Sequence, residues 1–355
     1  MRCATAGPGA RAALGAAVAL ALAARAAPAA AQPPAAPAAP VAAPDPARGR
    51  VVVDSLWSPA LGTRKRFLVY LPPSYARAPA RRYPVAYYLH GLWGDETNWT
   101  RQGRLDAAAD SLARLGRPEL VVVMPDGDDS WYTTWHALGT ADACRADTTR
   151  REPAATYCVP WARYDEYLAR DLVARVDSAY RTRADRGHRG VAGLSMGGYG
   201  AVTLALRYPD VFAAAVSHSG VLAPLFAGPR PYAAPARWAP SVDSLRTLYR
   251  GYWTTLPLAL GRDTAAWWAR DPGRLAARLG AAAAGPDARG PGVPALFVDV
   301  GTEDGLLGQN RAFRDALGAL GVPVAYAERP GGHTWTYWRA HVGDGLAWLA
   351  DRIGR

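Results

Sequence analysis

Between residues 50 and 353, short apolar runs alternate with longer stretches in which apolar positions recur at spacings of three and four. Residues 51–57 and 66–71 predict a leading antiparallel pair of strands. Residues 85–89, 120–124, 189–192, 213–217, 295–300 and 324–327 are nearly unbroken apolar runs, the pattern of strands covered on both faces. Residues 105–115, 164–180, 198–207, 309–320 and 336–353 carry helical spacing between them. Strand and helix in regular alternation predict βαβ units, and so an α/β fold with a mostly parallel central sheet and helices on both faces. Residues 221–293 break the rhythm and read as a helical insertion carrying Trp238, Trp253, Trp267 and Trp268. Two expectations stand for it: a cap over a pocket, or a segment that its tryptophans pack onto the domain.

The ends of the chain add a route out of the cell. Arg2 and Arg11 flank the start of an apolar run at residues 12–24, and Ala29-Ala30-Ala31 before Gln32 fits a signal-peptidase site. Residues 1–31 are therefore expected to be an export signal, leaving a periplasmic or extracellular chain. Their run of about 13 apolar residues is too short to cross a bilayer, and no later segment predicts a transmembrane helix. Residues 32–49 are a linker of proline and alanine with little to bury. Residues 50–355 form the expected folded domain, without a repeat.

Half of the 355 residues are hydrophobic, enough to build a full core. The net charge is +11, and +8 once Arg2, Arg11 and Arg25 of the export signal are set aside. Arginines alternate with Asp and Glu along the chain, which reads as a solvated surface and argues against a nucleic-acid partner. Lys65 is the one lysine among 41 basic residues. Cys144 and Cys158 lack the spacing of a metal site. In an oxidising compartment they predict a disulfide, worth on the order of 3 kcal/mol for a loop of about 15 residues.

The chemistry is concentrated in Val191-Ala192-Gly193-Leu194-Ser195-Met196-Gly197-Gly198, where an apolar strand runs into G-x-S-x-G and then into a helix. That context is the nucleophile elbow of an α/β-hydrolase: a serine on a sharp turn, with glycines where a Cβ would collide. A serine hydroxyl needs a base to take its proton. Of the histidines beyond Ser195, His333 lies between the last strand and the final helix, whereas His341 falls inside that helix and His218 follows closely on the strand after the elbow. His333 is therefore the expected base. A carboxylate must orient its ring, and Asp304 in Gly301-Thr302-Glu303-Asp304-Gly305 is the choice over its neighbour Glu303 and over Asp299 inside the strand. Backbone N–H groups of Met196, after the nucleophile, and of Leu92, in His90-Gly91-Leu92-Trp93-Gly94, are the expected oxyanion donors. His90 itself reads as a packed strand-end residue. Trp93, Trp99, Trp131, Trp135 and Trp335 fall on predicted loops and are candidates for an aromatic-lined substrate site. No cofactor or metal is expected, because H-E-x-x-H, a P-loop and a dinucleotide fingerprint are missing from the sequence.

Tyr88-Leu89-His90-Gly91, the Gly193-to-Gly200 elbow, Gly301-Thr302-Glu303-Asp304 and Gly332-His333-Thr334-Trp335 together resemble the esterase D family. That family includes S-formylglutathione hydrolases, feruloyl and acetyl-xylan esterases, enterochelin esterases and antigen 85 mycolyltransferases. The resemblance spans about residues 50–353 and implies a serine carboxylesterase with Ser195, Asp304 and His333 as its triad and Leu92 and Met196 as its oxyanion pair. It leaves open the natural ester, the oligomeric state, and acyl transfer to a sugar alcohol in place of water. A non-catalytic carbohydrate- or cell-wall-binding role on the same fold also stays open.

Overall fold

The computed structural model describes residues 45, 47–136, 145, 158–250, 255–284 and 291–355, all within one compact unit, Pro44–Arg355. The expected export signal, Trp253, and Cys144 with its expected pairing lie outside the described residues.

Strands β1 (Arg50–Ser58) and β2 (Thr63–Leu71) form the leading antiparallel hairpin. After β3 (Val85–Leu89) come the short helix α1 (Asn98–Arg101), α2 (Leu105–Arg114) and β4 (Val121–Pro125). Residues 164–179 are helical throughout, as α3 (Tyr164–Glu166), a π-helical stretch (Tyr167–Leu172) and α4 (Val173–Ala179). Then follow β5 (Arg189–Leu194), α5 (Met196–Arg207) and β6 (Ala214–His218). The insertion holds β7 (Phe226–Gly228), β8 (Arg237–Trp238), α6 (Leu256–Leu260), α7 (Thr264–Ala269) and α8 (Pro272–Ala284). The chain closes with β9 (Ala295–Gly301), α9 (Leu307–Ala319), β10 (Val324–Arg329) and α10 (Trp335–Ile353).

Eight strands make one sheet in the order β1-β2-β4-β3-β5-β6-β9-β10. Every pairing from β4 to β10 is parallel, and only β1 and β2 run against their neighbours. Each residue of β3, β4, β5 and β6 is buried. Their apolar runs are nearly unbroken for that reason, with Arg189, Ser217 and His218 as the polar exceptions at strand ends: with period-2 alternation, both faces of these strands need apolar side chains. Val85, Tyr87 and Leu89 face a core built with α5 and α9. The intervening Ala86 and Tyr88 face a second core built with α2 and α10.

Among the described residues of the insertion, α-helix begins at Leu256, after a single 3-10 turn at Asp243–Leu245. The insertion opens with the two-stranded ribbon of β7 and β8. Pro229, Pro231, Pro235 and Pro240 crowd this stretch, and proline offers no N–H for an intrahelical bond. Its helix α8 packs on α5, directly behind the elbow. Trp267 is fully buried in the main core and donates its indole N–H to the Gly261 carbonyl of the same insertion at 2.7 Å, so it is the burial of its ring that ties the insertion to the domain.

Candidate active site

Sheet topology brings the motifs singled out in the sequence to one sheet edge, the carboxyl ends of the parallel strands, where α/β folds leave their crevices. Ser195 terminates β5 with φ 53° and ψ −116°, a conformation costly for any residue with a Cβ. Its surroundings over-determine it. The Ser195 N–H donates to the His218 carbonyl at 2.9 Å. A Cβ on Gly193 would run into the Gly197 carbonyl, and one on Gly197 would sit 2.5 Å from the carbonyl oxygens of Leu89 and His90. The close approach of three backbones thus accounts for both glycines of the motif.

His333 follows β10 and precedes α10, whose N-cap Thr334 accepts the Tyr337 N–H. Its Nε2 lies 2.9 Å from Ser195 Oγ and its Nδ1 lies 2.9 Å from Asp304 Oδ2. Asp304 is buried, and its other oxygen accepts the Leu306 N–H at 2.8 Å. The two loops that carry this pair are laced together: the Thr302 N–H donates to the Arg329 carbonyl and the Glu303 N–H to the Gly331 carbonyl. Glu303, the sequence rival of Asp304, is exposed and lies near Thr302. His341 pairs with Asp344 within and beside α10, and His218 is buried against Asp299. Neither imidazole is hydrogen-bonded to the Ser195 hydroxyl, which His333 meets.

Met196 is the first residue of α5. Its N–H is one of the unpaired donors of a helix N-terminus, where the helix dipole favours negative charge. Leu92 sits in the turn after β3, and a Cβ on the preceding Gly91 would lie 3.6 Å from Ser195 Cβ, so this turn stands directly beside the elbow. A site with a hydrogen-bonded Ser–His–Asp chain and two N–H donors beside it can take a proton from the serine and stabilise a negative oxygen.

The five candidate tryptophans divide. Trp93 is 70% exposed, and Trp335 is half-buried edge-on to Trp99 and Trp338. Trp135 is half-buried, stacked on Tyr164, and donates to the Ser130 carbonyl. Trp99 and Trp131 are both buried, although Trp131 does lie on the loop after β4. Trp99 lies in α1 and donates to the Leu89 carbonyl at 2.9 Å, and Trp131 donates to Thr255 at 3.0 Å. Their large apolar surface is better satisfied inside than in a wet crevice.

Two features escaped the sequence reading. Trp338 is buried edge-on to the His333 ring at a centroid distance of 4.9 Å. The lone lysine, Lys65, is buried with its ammonium 2.6 Å from Asp126 and 2.9 Å from Asp128, just under the loop that supports residues 90–94. Burial, with the Asp126 charge beside it, pushes the Asp128 carboxyl up to about 6, against the opposing pull of Lys65. One lysine among so many arginines, facing the Asp126-Gly127-Asp128-Asp129 run after a strand, was the available signal. Among the described residues, no group of three or more His, Cys, Asp or Glu could hold a metal ion, and no helix is long and apolar enough to cross a membrane.

A mostly parallel sheet with helices on both faces, and a serine on a strained turn between strand and helix, define an α/β-hydrolase. Residues 58–349 match the Esterase family, described as "Putative esterase", and the chain belongs to that family. Among curated proteins it is similar to Esterase Rv1288 of Mycobacterium tuberculosis, at 29% identity over 283 residues, covering 78% of this chain and 54% of that protein. The chain thus spans about half the length of this relative. It is also 25% identical to the S-formylglutathione hydrolase of Paracoccus denitrificans, covering 84% of this chain and 91% of that one. A solved ferulic acid esterase superposes with a TM-score of 0.62 at 25% identity, over 86% of this chain and 99% of its own.

Proposed function

We propose that this protein is an exported serine carboxylesterase that works through an acyl-enzyme on Ser195. The observation that carries the reading is the unbroken hydrogen-bond chain from Ser195 Oγ through His333 to Asp304, at 2.9 Å for each link. Ser195 Oγ attacks the ester carbonyl carbon as its proton passes to His333 Nε2. The carbonyl π electrons move onto oxygen, where the N–H groups of Leu92 and Met196 meet the new charge. Asp304 holds the imidazole in the Nδ1–H tautomer and offsets its transient positive charge. The imidazolium returns the proton to the leaving alcohol as the tetrahedral centre collapses to the acyl-enzyme. Water, deprotonated by His333, then attacks the acyl carbon and releases the carboxylic acid and Ser195.

Purified residues 32–355, assayed on p-nitrophenyl acetate and longer acyl homologues, test this directly. Activity and labelling by a fluorophosphonate should be present in the wild type and lost in Ser195→Ala. Activity that survives Ser195→Ala, or a folded wild type that neither turns over nor labels, overturns it. Feruloyl esters are the first natural class to try, given the solved ferulic acid esterase named above, and adding a sugar alcohol to the assay separates hydrolysis from acyl transfer. Export belongs to the same proposal, with residues 1–31 removed, residues 32–49 as a linker, residues 50–355 as the esterase domain, and Cys144 paired with Cys158. An N-terminus at Gln32 in the exported protein and no titratable thiol under denaturing, non-reducing conditions are the expected results.

A further inference from the structure

We infer that His90, outside the triad, is the positioning residue that aims the Leu92 N–H at the oxyanion, with Asp129 clamping the next peptide; this rests on the esterase reading above. The Leu92 N–H belongs to the Gly91–Leu92 peptide, whose carbonyl is Gly91 O. A trans peptide is planar, so its N–H and C=O point in opposite directions, and whatever fixes the carbonyl fixes the N–H. Two donors hold that carbonyl: His90 Nδ1–H at 2.8 Å and the Gly94 N–H at 3.1 Å.

The imidazole is itself held in the state this requires. The Gly127 N–H donates to His90 Nε2 at 3.0 Å. A backbone N–H can only donate, so Nε2 is the acceptor and Nδ1 carries the proton. Asp126 Oδ1 stands 3.8 Å from Nε2, beyond hydrogen-bonding reach. The ring is almost wholly buried, packs edge-on against Tyr132, and has its backbone pinned by the Tyr132 hydroxyl, which donates to the His90 carbonyl at 2.9 Å.

On the far side of Leu92, Trp93 adopts φ 61°, a left-handed conformation that a tryptophan does not hold without restraint. Asp129 Oδ1 accepts the Trp93 N–H at 2.6 Å. The same contact occupies the Trp93 N–H, as the Gly91 carbonyl occupies that of Gly94, so neither competes with Leu92 for an oxyanion. Gly127, Asp129 and Tyr132 all belong to the loop after β4, which Lys65 ties to β2 through Asp126 and Asp128. A buried charge cluster thus braces the loop that in turn holds the donor.

Two isosteric substitutions separate aiming from mere packing. In His90→Asn the side-chain amide can donate from the place of Nδ1. In His90→Gln it reaches the place of Nε2 and leaves the Gly91 carbonyl without its side-chain donor. With p-nitrophenyl acetate, His90→Gln should lower kcat by about 10- to 100-fold with KM little changed, while His90→Asn retains most of the wild-type kcat. A trifluoromethyl ketone, whose adduct with Ser195 carries the same oxyanion, should bind His90→Gln more weakly by the factor lost in kcat/KM. Equal losses in both variants, or an unchanged inhibitor constant in His90→Gln, overturn the inference. Should neither variant fold, Asp129→Ala decides: a lower kcat with a matching loss of inhibitor affinity supports it, and wild-type values of both overturn it. A wild type that hydrolyses the ester and labels with fluorophosphonate keeps failure here distinct from failure of the esterase reading.

Discussion

The molecule contains two histidine–aspartate pairs of nearly the same local geometry and quite different surroundings. His333 and Asp304 meet at 2.9 Å, and His218 and Asp299 at 2.7 Å. The His333 side chain is 32% exposed and its Nε2 faces Ser195, whereas His218 and Asp299 are both fully enclosed. Around the inner pair stand Trp99, Tyr88 and Gly345 of α10, and His218 Nε2 meets no hydrogen-bond partner among the described residues. Asp299 also accepts the Tyr337 hydroxyl at 3.0 Å, and the His218 carbonyl accepts the Ser195 N–H. The inner pair thus joins β6, β9 and α10 behind the site. A carboxylate-oriented imidazole is therefore only half of a base: it also needs a substrate-side nitrogen next to a nucleophile, and that depends on which loop end carries it.

The widest separation between the pairs is expected in turnover. His333→Ala should lower kcat by about four to six orders of magnitude with little change in melting temperature, and a loss below tenfold would break the comparison. Asp304→Asn should cost about 10³- to 10⁴-fold in kcat, because the amide no longer favours the required tautomer. The inner pair should respond in stability instead. His218→Ala leaves the Asp299 charge buried without its imidazole, and urea unfolding should register a loss of about 3–5 kcal/mol while kcat per folded molecule stays within about tenfold. Catalytic collapse without destabilisation in that variant would mean that the inner pair acts in the chemistry.

Smaller effects sharpen the same contrast. A Cβ on Gly345 would stand 2.7 Å from His218 Nε2, so Gly345→Ala should cost about 1–3 kcal/mol by overpacking, with kcat unaltered. Asp271, a third buried carboxylate, has no imidazole. One oxygen accepts the Arg274 N–H and the other has no partner among the described residues. Burial pushes its carboxyl up to about 6, against the backbone N–H and the charges of Arg274 and Arg278. The native state then binds a proton more tightly than the unfolded chain, so stability falls as pH rises from near 4 through 6, and the penalty is complete above 6. Asp271→Asn removes the charge and keeps an acceptor for the helix end. It should stabilise the protein by about 1–2 kcal/mol at pH 8, with the gain vanishing below pH 4; thermal melts across that range would detect it.

Strand and helix placement was legible because the central strands are buried on both faces and so are built almost wholly from apolar residues. The elbow was legible for a related reason: Gly193 and Gly197 answer to backbone contacts close in the chain or directly across one strand pair. Asp304 could be preferred to Glu303 from its loop, but only the lacing of residues 302–303 to 329–331 turns one inward and the other out. The burial of Trp99 and Trp131 was not legible, because a tryptophan reads alike whether it lines a crevice or fills a core. The ribbon of β7 and β8 was hidden by the helical stretch that follows it, although its prolines already spoke against a helix.

The sequence by itself determined the alternating α/β order, the strained serine turn and the identities of the groups able to take and orient a proton, because these follow from local periodicity, glycine sterics and side-chain chemistry. The order of motifs along the chain already favoured His333 and Asp304; only the tertiary structure set that pair beside Ser195, enclosed His218 with Asp299, and decided how Lys65, Asp129 and Tyr132 brace the turn at Leu92. Those contacts join residues some tens to more than a hundred positions apart. Their energies exist only once the sheet has brought the loop ends together, and nothing in the local pattern of either partner records the other.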